Sequence, residues 1–155
     1  MRIYISRHGE AEPFASDDSQ RPLTRAGERE VRLLWGRLRE AGIAPTCLIS
    51  SPFLRARQTA DQIADLYPGI GRDVYQGLTP DAEPSILLDW LQTRSDLDQL
   101  VLVSHMPLVA VLTSCLTGEM SRAGFATAAV AALDMEVAAR GCASLAWVRG
   151  PGEDF

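Results

Sequence analysis

Residues 100–108 read LVLVSHMPL. Five residues of Leu, Val and Ser, too short for a helix and without polar alternation, describe a strand buried on both faces. Ser104, His105 and Met106 break the apolar run, and Pro107 suits the first turn of a following helix, where its missing N–H costs nothing. The same strand-to-helix pattern recurs twice upstream. Residues 2–6 (RIYIS) form a β-branched and aromatic strand that runs directly into Arg7-His8-Gly9-Glu10. Residues 47–50 (CLIS) form another, followed by Ser51-Pro52 and a helix from about Phe53.

The segments between these strands read as helices or loops. Residues 10–23 carry Pro13, Pro22 and the adjacent Asp17 and Asp18, which predicts a loop. Thr24 is a plausible N-cap, and Val31, Leu34, Trp35 and Leu38 then recur at helical spacing until Gly42. Gly27 takes the third helical position, so the start is not a full capping box. Ala56, Ala60, Ile63 and Tyr67 make the stripe of the second helix, which Pro68-Gly69 stop. A weak strand near Val74, the loop LTPDAEP and a short helix over about 86–92 come next. Residues 127–135 and 142–148 read as a final pair of strands, and the tail 150–155 as frayed.

Strands alternating with helices predict an α/β sandwich on a mostly parallel sheet, with ligands beyond the carboxyl ends of the strands. By that rule His8, the residues from Ser51 to Arg55, and His105 all arrive at one rim.

Composition narrows the class. A chain of 155 residues, 46% hydrophobic and 23% charged, fits one soluble domain over residues 1–155. The net charge of -5 argues against nucleic acid as a partner, because a polyanion demands a basic face. No apolar run approaches the roughly 20 residues that span a bilayer. The start does not read as a signal peptide either, so a cytoplasmic setting is expected. Cys47, Cys115 and Cys142 are odd in number, far apart and in apolar contexts, so they read as buried free thiols. No Cys/His cluster suggests a metal. All fifteen basic residues are Arg. Codon bias explains that economically, although Arg is also the better fork for phosphate oxygens.

His8 and His105 are the two histidines of the chain, and each stands between a buried strand and a helix start. Arg55 lies one turn inside the second helix. Arg57, two positions on, points elsewhere and reads as solvated.

RHGEA near the N-terminus, RPLTRAG, SSPFLRARQTA and VSHMPL, in that order, together resemble the histidine phosphatase superfamily, the phosphoglycerate mutase-like group. Within it the chain is similar to the small SixA-type phosphohistidine phosphatases. The resemblance implies a three-layer α/β/α sandwich with a mostly parallel, mixed central sheet and no large helical insertion. It also implies a metal-independent enzyme without cofactor, in which His8 is the nucleophile and Arg7, Arg55 and His105 cradle the phosphoryl group. Two guanidinium groups should lower the pKa of His8 and keep it neutral. A bound phosphate dianion should drive His105 toward its cationic form. Arg21 sits where this subfamily also carries Arg, and is either a substrate contact or a loop salt bridge.

Members that act on phosphate esters place an acidic residue in a helical insertion. Here only LTPDAEP is present, with Asp81 or Glu83 as possible general acids. A weak acid suits an imidazole leaving group, whose free pKa is about 6.5. The implied substrate is therefore phosphohistidine on a signalling or phosphocarrier protein, such as a histidine phosphotransfer domain. The alternatives are a phosphatase of small phosphorylated metabolites and a non-catalytic phosphate-binding module.

Overall fold

A computed structural model describes residues 1–120 and 125–153 of the chain. Six strands form one sheet: β1 (Arg2–Arg7), β2 (Cys47–Ser50), β3 (Gly71–Val74), β4 (Leu100–Ser104), β5 (Val130–Met135) and β6 (Ala143–Arg149). Their order is β3-β2-β4-β1-β5-β6. β4 pairs in parallel with both β1 and β2, and β2 with β3, whereas β5 runs antiparallel to β1 and β6. Four helices complete the fold: α1 (Arg25–Glu40), α2 (Leu54–Leu66), α3 (Pro84–Gln92) and α4 (Leu108–Thr117). The expected mixed, mostly parallel sandwich is the architecture observed.

Period-two side-chain alternation sorts the core into two layers. Ile3 and Ile5 of β1, with Leu100 and Leu102 of β4, pack against α3 and α4 through Leu87, Leu91, Leu108 and Leu112. Tyr4, Val101 and Val103 face the other way, onto Val31, Leu34, Trp35, Ala56, Ala60 and Ile63 of α1 and α2. Every residue of β4 is buried, as a central parallel strand covered on both faces requires.

RPLTRAG is explained by the way α1 begins. The Thr24 side chain caps the helix by accepting from the Gly27 amide at 2.9 Å, and Thr24 also donates to the Glu10 carboxylate. The loop after β1 lies so close to the helix that a Cβ on Gly27 would sit 2.2 Å from the Glu10 carbonyl oxygen. Gly27 is therefore the contact by which α1 seats the His8 loop. Gly27→Ala should gain about 1 kcal/mol of helix propensity and lose more, about 1–3 kcal/mol, to overpacking against rigid backbone. Urea denaturation should show a net loss of stability, and a net gain would contradict this packing.

Three expectations change at the edges. The segment 10–23 is not wholly irregular, since Asp18–Gln20 form one 3-10 turn with the Asp17 carboxylate accepting from the Ser19 amide. The penultimate strand starts at Val130 rather than 127, because Ala128 takes a φ of 64° and its amide donates to the His8 carbonyl. The tail is held as far as Glu153, whose carbonyl accepts from Arg37 at 2.8 Å, while residues 154 and 155 lie outside the described residues. The cysteines are free but not buried as expected: Cys47 and Cys115 are half-buried, and Cys142, just before β6, is exposed. No helix among the described residues is long and apolar enough to cross a membrane.

Candidate active site

The carboxyl ends of β1, β2 and β4 deliver the site. The His8 amide donates to the Ser104 carbonyl and the Ser51 amide to that of Val103, so three strand ends are tied together by backbone. Arg7 is anchored by the turn before β5, where its guanidinium donates to the Phe125 carbonyl at 2.7 Å.

His8 is 7% exposed. Its Nδ1 lies 2.7 Å from the Gly9 carbonyl oxygen. A carbonyl only accepts, so Nδ1 carries the proton and Nε2 carries a lone pair. Arg55 agrees with that assignment, since its Nε donates to His8 Nε2 at 3.3 Å. Thr59, one turn beyond Arg55 on α2, accepts from the Gly9 amide at 3.0 Å and donates to the Arg55 carbonyl at 2.8 Å. It thereby locks the loop to the helix.

His105 is 1% exposed, and its ring centroid is 5.0 Å from that of His8. Its Nε2 lies 2.8 Å from Ser51 Oγ. Phe53 packs edge-on against it at 5.1 Å and also lies beneath the Arg55 guanidinium. Among the described residues, three buried side-chain nitrogens have no hydrogen-bond partner, namely Arg7 Nε, His105 Nδ1 and Trp35 Nε1. Trp35 belongs to the core. The other two belong to this cluster, where a missing partner marks a place for a ligand atom.

Burial pushes the His8 pKa down to about 4, helped by the Arg55, Arg7 and Arg21 guanidinium groups and opposed by the Gly9 hydrogen bond. The arginines were expected to be the cause, but removal from water comes first. Burial pushes His105 to about 3, with His8 and Arg55 adding to the effect, so both rings are neutral in the free protein. Folding therefore requires two neutral imidazoles, while the unfolded chain takes up protons near pH 6.5. Stability should fall as the pH drops below about 6.5, by about 1.4 kcal/mol per pH unit for each histidine. Urea midpoints at pH 7, 5.5 and 4.5 should decline in that order, and a flat series would refute the buried neutral pair.

Sequence reasoning brought Arg7, His8, Arg55 and His105 together, and the structure places them within one cluster. Arg57 is exposed, as expected. Arg21 makes a loop salt bridge, donating to the Asp18 carboxylate at 2.8 Å and to the Glu12 carbonyl at 3.0 Å. Asp18 also receives Arg55, through its carbonyl at 2.8 Å and its carboxylate at 3.3 Å, which puts Arg21 beside the cradle. Asp81 and Glu83 are exposed. Asp81 accepts from Thr79, and neither side chain joins the hydrogen bonds around His8.

Ser51, Thr59 and Asp18 were missed. Thr59 was accessible, because it lies four residues after Arg55 on the same helical face. Ser51 stands within SSPFLRARQTA, but no spacing gives it a role. Asp18 carries no periodic signal. Among the described residues no three His, Cys, Asp or Glu side chains group as a metal site.

Comparison with known proteins follows the same lines. Residues 3–72 match the family model of the histidine phosphatase superfamily (branch 1). The phosphohistidine phosphatase SixA of Escherichia coli K12 is 33% identical over 91% of this chain and 89% of its own length. A SixA homolog of Haemophilus influenzae is 31% identical, covering 86% and 87%. A solved structure of the protein histidine phosphatase SixA complexed with tungstate superposes with a TM-score of 0.90 at 30% identity, covering 97% of each chain.

Proposed function

This chain belongs to the histidine phosphatase superfamily, in its SixA-type group, and on that footing we propose that it hydrolyses phosphohistidine on a protein through a phospho-His8 intermediate. In this reading residues 1–155 act as one domain in a metal-independent reaction without cofactor. The partner is a histidine phosphotransfer domain or a phosphocarrier protein.

One observation carries the mechanism. The Nε2 lone pair of His8 is held by two independent contacts, with Gly9 fixing the proton on Nδ1 and Arg55 Nε aimed at Nε2. A nucleophile needs that lone pair, and phosphoryl transfer needs cations about the equatorial oxygens. Arg7, Arg55 and His105 supply the cradle, with Arg21 a further contact through the Asp18 bridge. Tungstate, an oxyanion, is bound in the related SixA structure, which is the kind of ligand this cradle would take.

The substrate follows from leaving-group chemistry. A phosphohistidine ring protonated on its other nitrogen, which its pKa of about 6.5 allows without help from the enzyme, departs as neutral imidazole, a weak base, whereas an alkoxide needs a positioned acid. With Asp81 and Glu83 outside the His8 network, an N–P substrate is favoured over an alkyl phosphate. Asp81→Asn and Glu83→Gln should each cost less than about tenfold, or roughly 1.4 kcal/mol, on a phosphohistidine protein. A larger loss at either residue would make it the general acid.

The deciding experiment compares kcat/KM across several phosphohistidine proteins, sugar phosphates and an activated aryl phosphate. Phosphohistidine proteins should lead, the aryl phosphate should be measurable, and alkyl phosphates should trail. Faster turnover of sugar phosphates would favour the metabolite phosphatase instead, and an inert protein that still binds phosphate would favour a non-catalytic module.

A further inference from the structure

We infer that Ser51 is a positioning residue that fixes His105 as a neutral imidazole with its proton on Nδ1, presenting a hydrogen-bond donor to a phosphoryl oxygen. The inference rests on the reading of this site as a phosphatase and extends it to a residue other than Arg7, His8, Arg55 and His105, the four to which the resemblance gives roles.

Ser51 Oγ has one hydrogen to give and lone pairs to receive. It accepts from the Phe53 amide at 3.2 Å, and its other partner among the described residues is His105 Nε2 at 2.8 Å. An amide only donates, so the Ser51 proton has one acceptor within reach, which is the Nε2 lone pair. The remaining imidazole proton must then sit on Nδ1.

The opposite tautomer fares worse on every count. With hydrogen on Nε2, the Ser51 hydroxyl would have no acceptor and the Nδ1 lone pair would have no donor. That leaves two buried polar groups unsatisfied instead of one. A buried Nδ1 lone pair would also face an incoming phosphoryl oxygen as acceptor against acceptor. Nδ1–H leaves one orphan, and it is a donor in a cluster built around Arg7 and Arg55. The cationic form needs hydrogen on both nitrogens, again stranding the Ser51 proton, and burial already holds this ring neutral.

The rest of the local chain serves the same purpose. The Ser51 amide is tied to the Val103 carbonyl, one strand away and two residues before His105. Phe53 closes against the His105 ring at 5.1 Å. The ring is thus held by its neighbours with one nitrogen fixed and the other free. In consequence His105 stabilises charge without shuttling a proton, which matches a leaving group that departs without an acid. On this inference a bound dianion meets a neutral donor at His105, in place of the cationic form expected from the sequence.

The two histidines make the test direct. In ligand-free protein labelled with 15N-histidine, long-range 1H–15N spectra should show both rings as Nδ1–H tautomers, with two unprotonated Nε2 signals. Ser51→Ala should lose that signature for His105, keep it for His8, and reduce kcat on a phosphohistidine protein by roughly tenfold or more, the scale of one hydrogen bond. Ser51→Thr, which keeps the hydroxyl, should restore both. An Nε2–H tautomer or an imidazolium at His105 in the wild type would overturn the inference. So would an unchanged His105 tautomer in Ser51→Ala. If Ser51→Ala does not fold, the wild-type spectrum decides alone. The spectra need no substrate, so a wild type inert toward phosphohistidine sinks the phosphatase reading and leaves the tautomer assignment intact.

Discussion

His8→Asn is expected to abolish turnover, by at least roughly a thousandfold, while leaving a folded protein. Asparagine is smaller and polar, and can still reach the Gly9 carbonyl, but it offers no lone-pair nitrogen to phosphorus. In the proposed mechanism the Nε2 pair forms the new P–N bond as the bond to the substrate ring breaks, and that ring, protonated on its other nitrogen, leaves as neutral imidazole. Water then attacks phosphorus and Nε2 leaves. Rapid quenching with labelled substrate should trap a phosphoenzyme that is stable in base and lost in acid, and the label should be absent from His8→Asn. Because burial and neighbouring guanidinium groups hold His8 at about 4, the nucleophile stays neutral through the physiological range. Its contribution to the rate should therefore be flat from pH 6 to 8 and fall only as the pH approaches 4. Near-normal turnover by His8→Asn would end the proposed mechanism.

The elements legible in the sequence were those in which local composition and tertiary position agree. The runs RIYIS, CLIS and LVLVS are strands because central parallel strands bury both faces, and nothing polar interrupts them. Their ends were legible for the same reason, since polarity returns where the sheet stops. The start of β5 was not legible. Ala126 to Ala129 look apolar enough for a strand, yet Ala128 adopts a left-handed turn to hold the His8 carbonyl, a demand set by a residue some 120 positions away. Arg55 was found through the family resemblance, and Arg57 was set aside because helical spacing turns it to another face. Asp18 was out of reach. It lies in a loop without periodicity, and beyond Arg21, three residues on, its value comes from Arg55, which only the fold brings to it. Ser51 is a third case: it lies within a legible motif, but its role depends on hydrogen positions that no spacing reveals.

Arg55→Ala is expected to lower kcat/KM by roughly a hundred to a thousandfold, or about 2.7–4 kcal/mol, the usual worth of a donor aimed at developing charge. Arg57→Ala, an exposed change two residues away, should stay near wild type. Equal losses at both would mean that the helix presents a different face. Lost charge alone does not separate a cradle from a structural arginine, but the titration of His8 does. Arg55 is one of the groups holding the His8 pKa down. Without it the pKa should rise from about 4 toward its ordinary value, so the acid limb of the rate profile should move to higher pH. A purely structural Arg55 would cost activity without moving that limb. The fold itself should survive, because the salt-bridge partner Asp18 is largely exposed and water replaces the guanidinium there. Loss of activity with a displaced acid limb and an unchanged urea midpoint near neutral pH is thus the expected signature. An unmoved limb would assign Arg55 to packing.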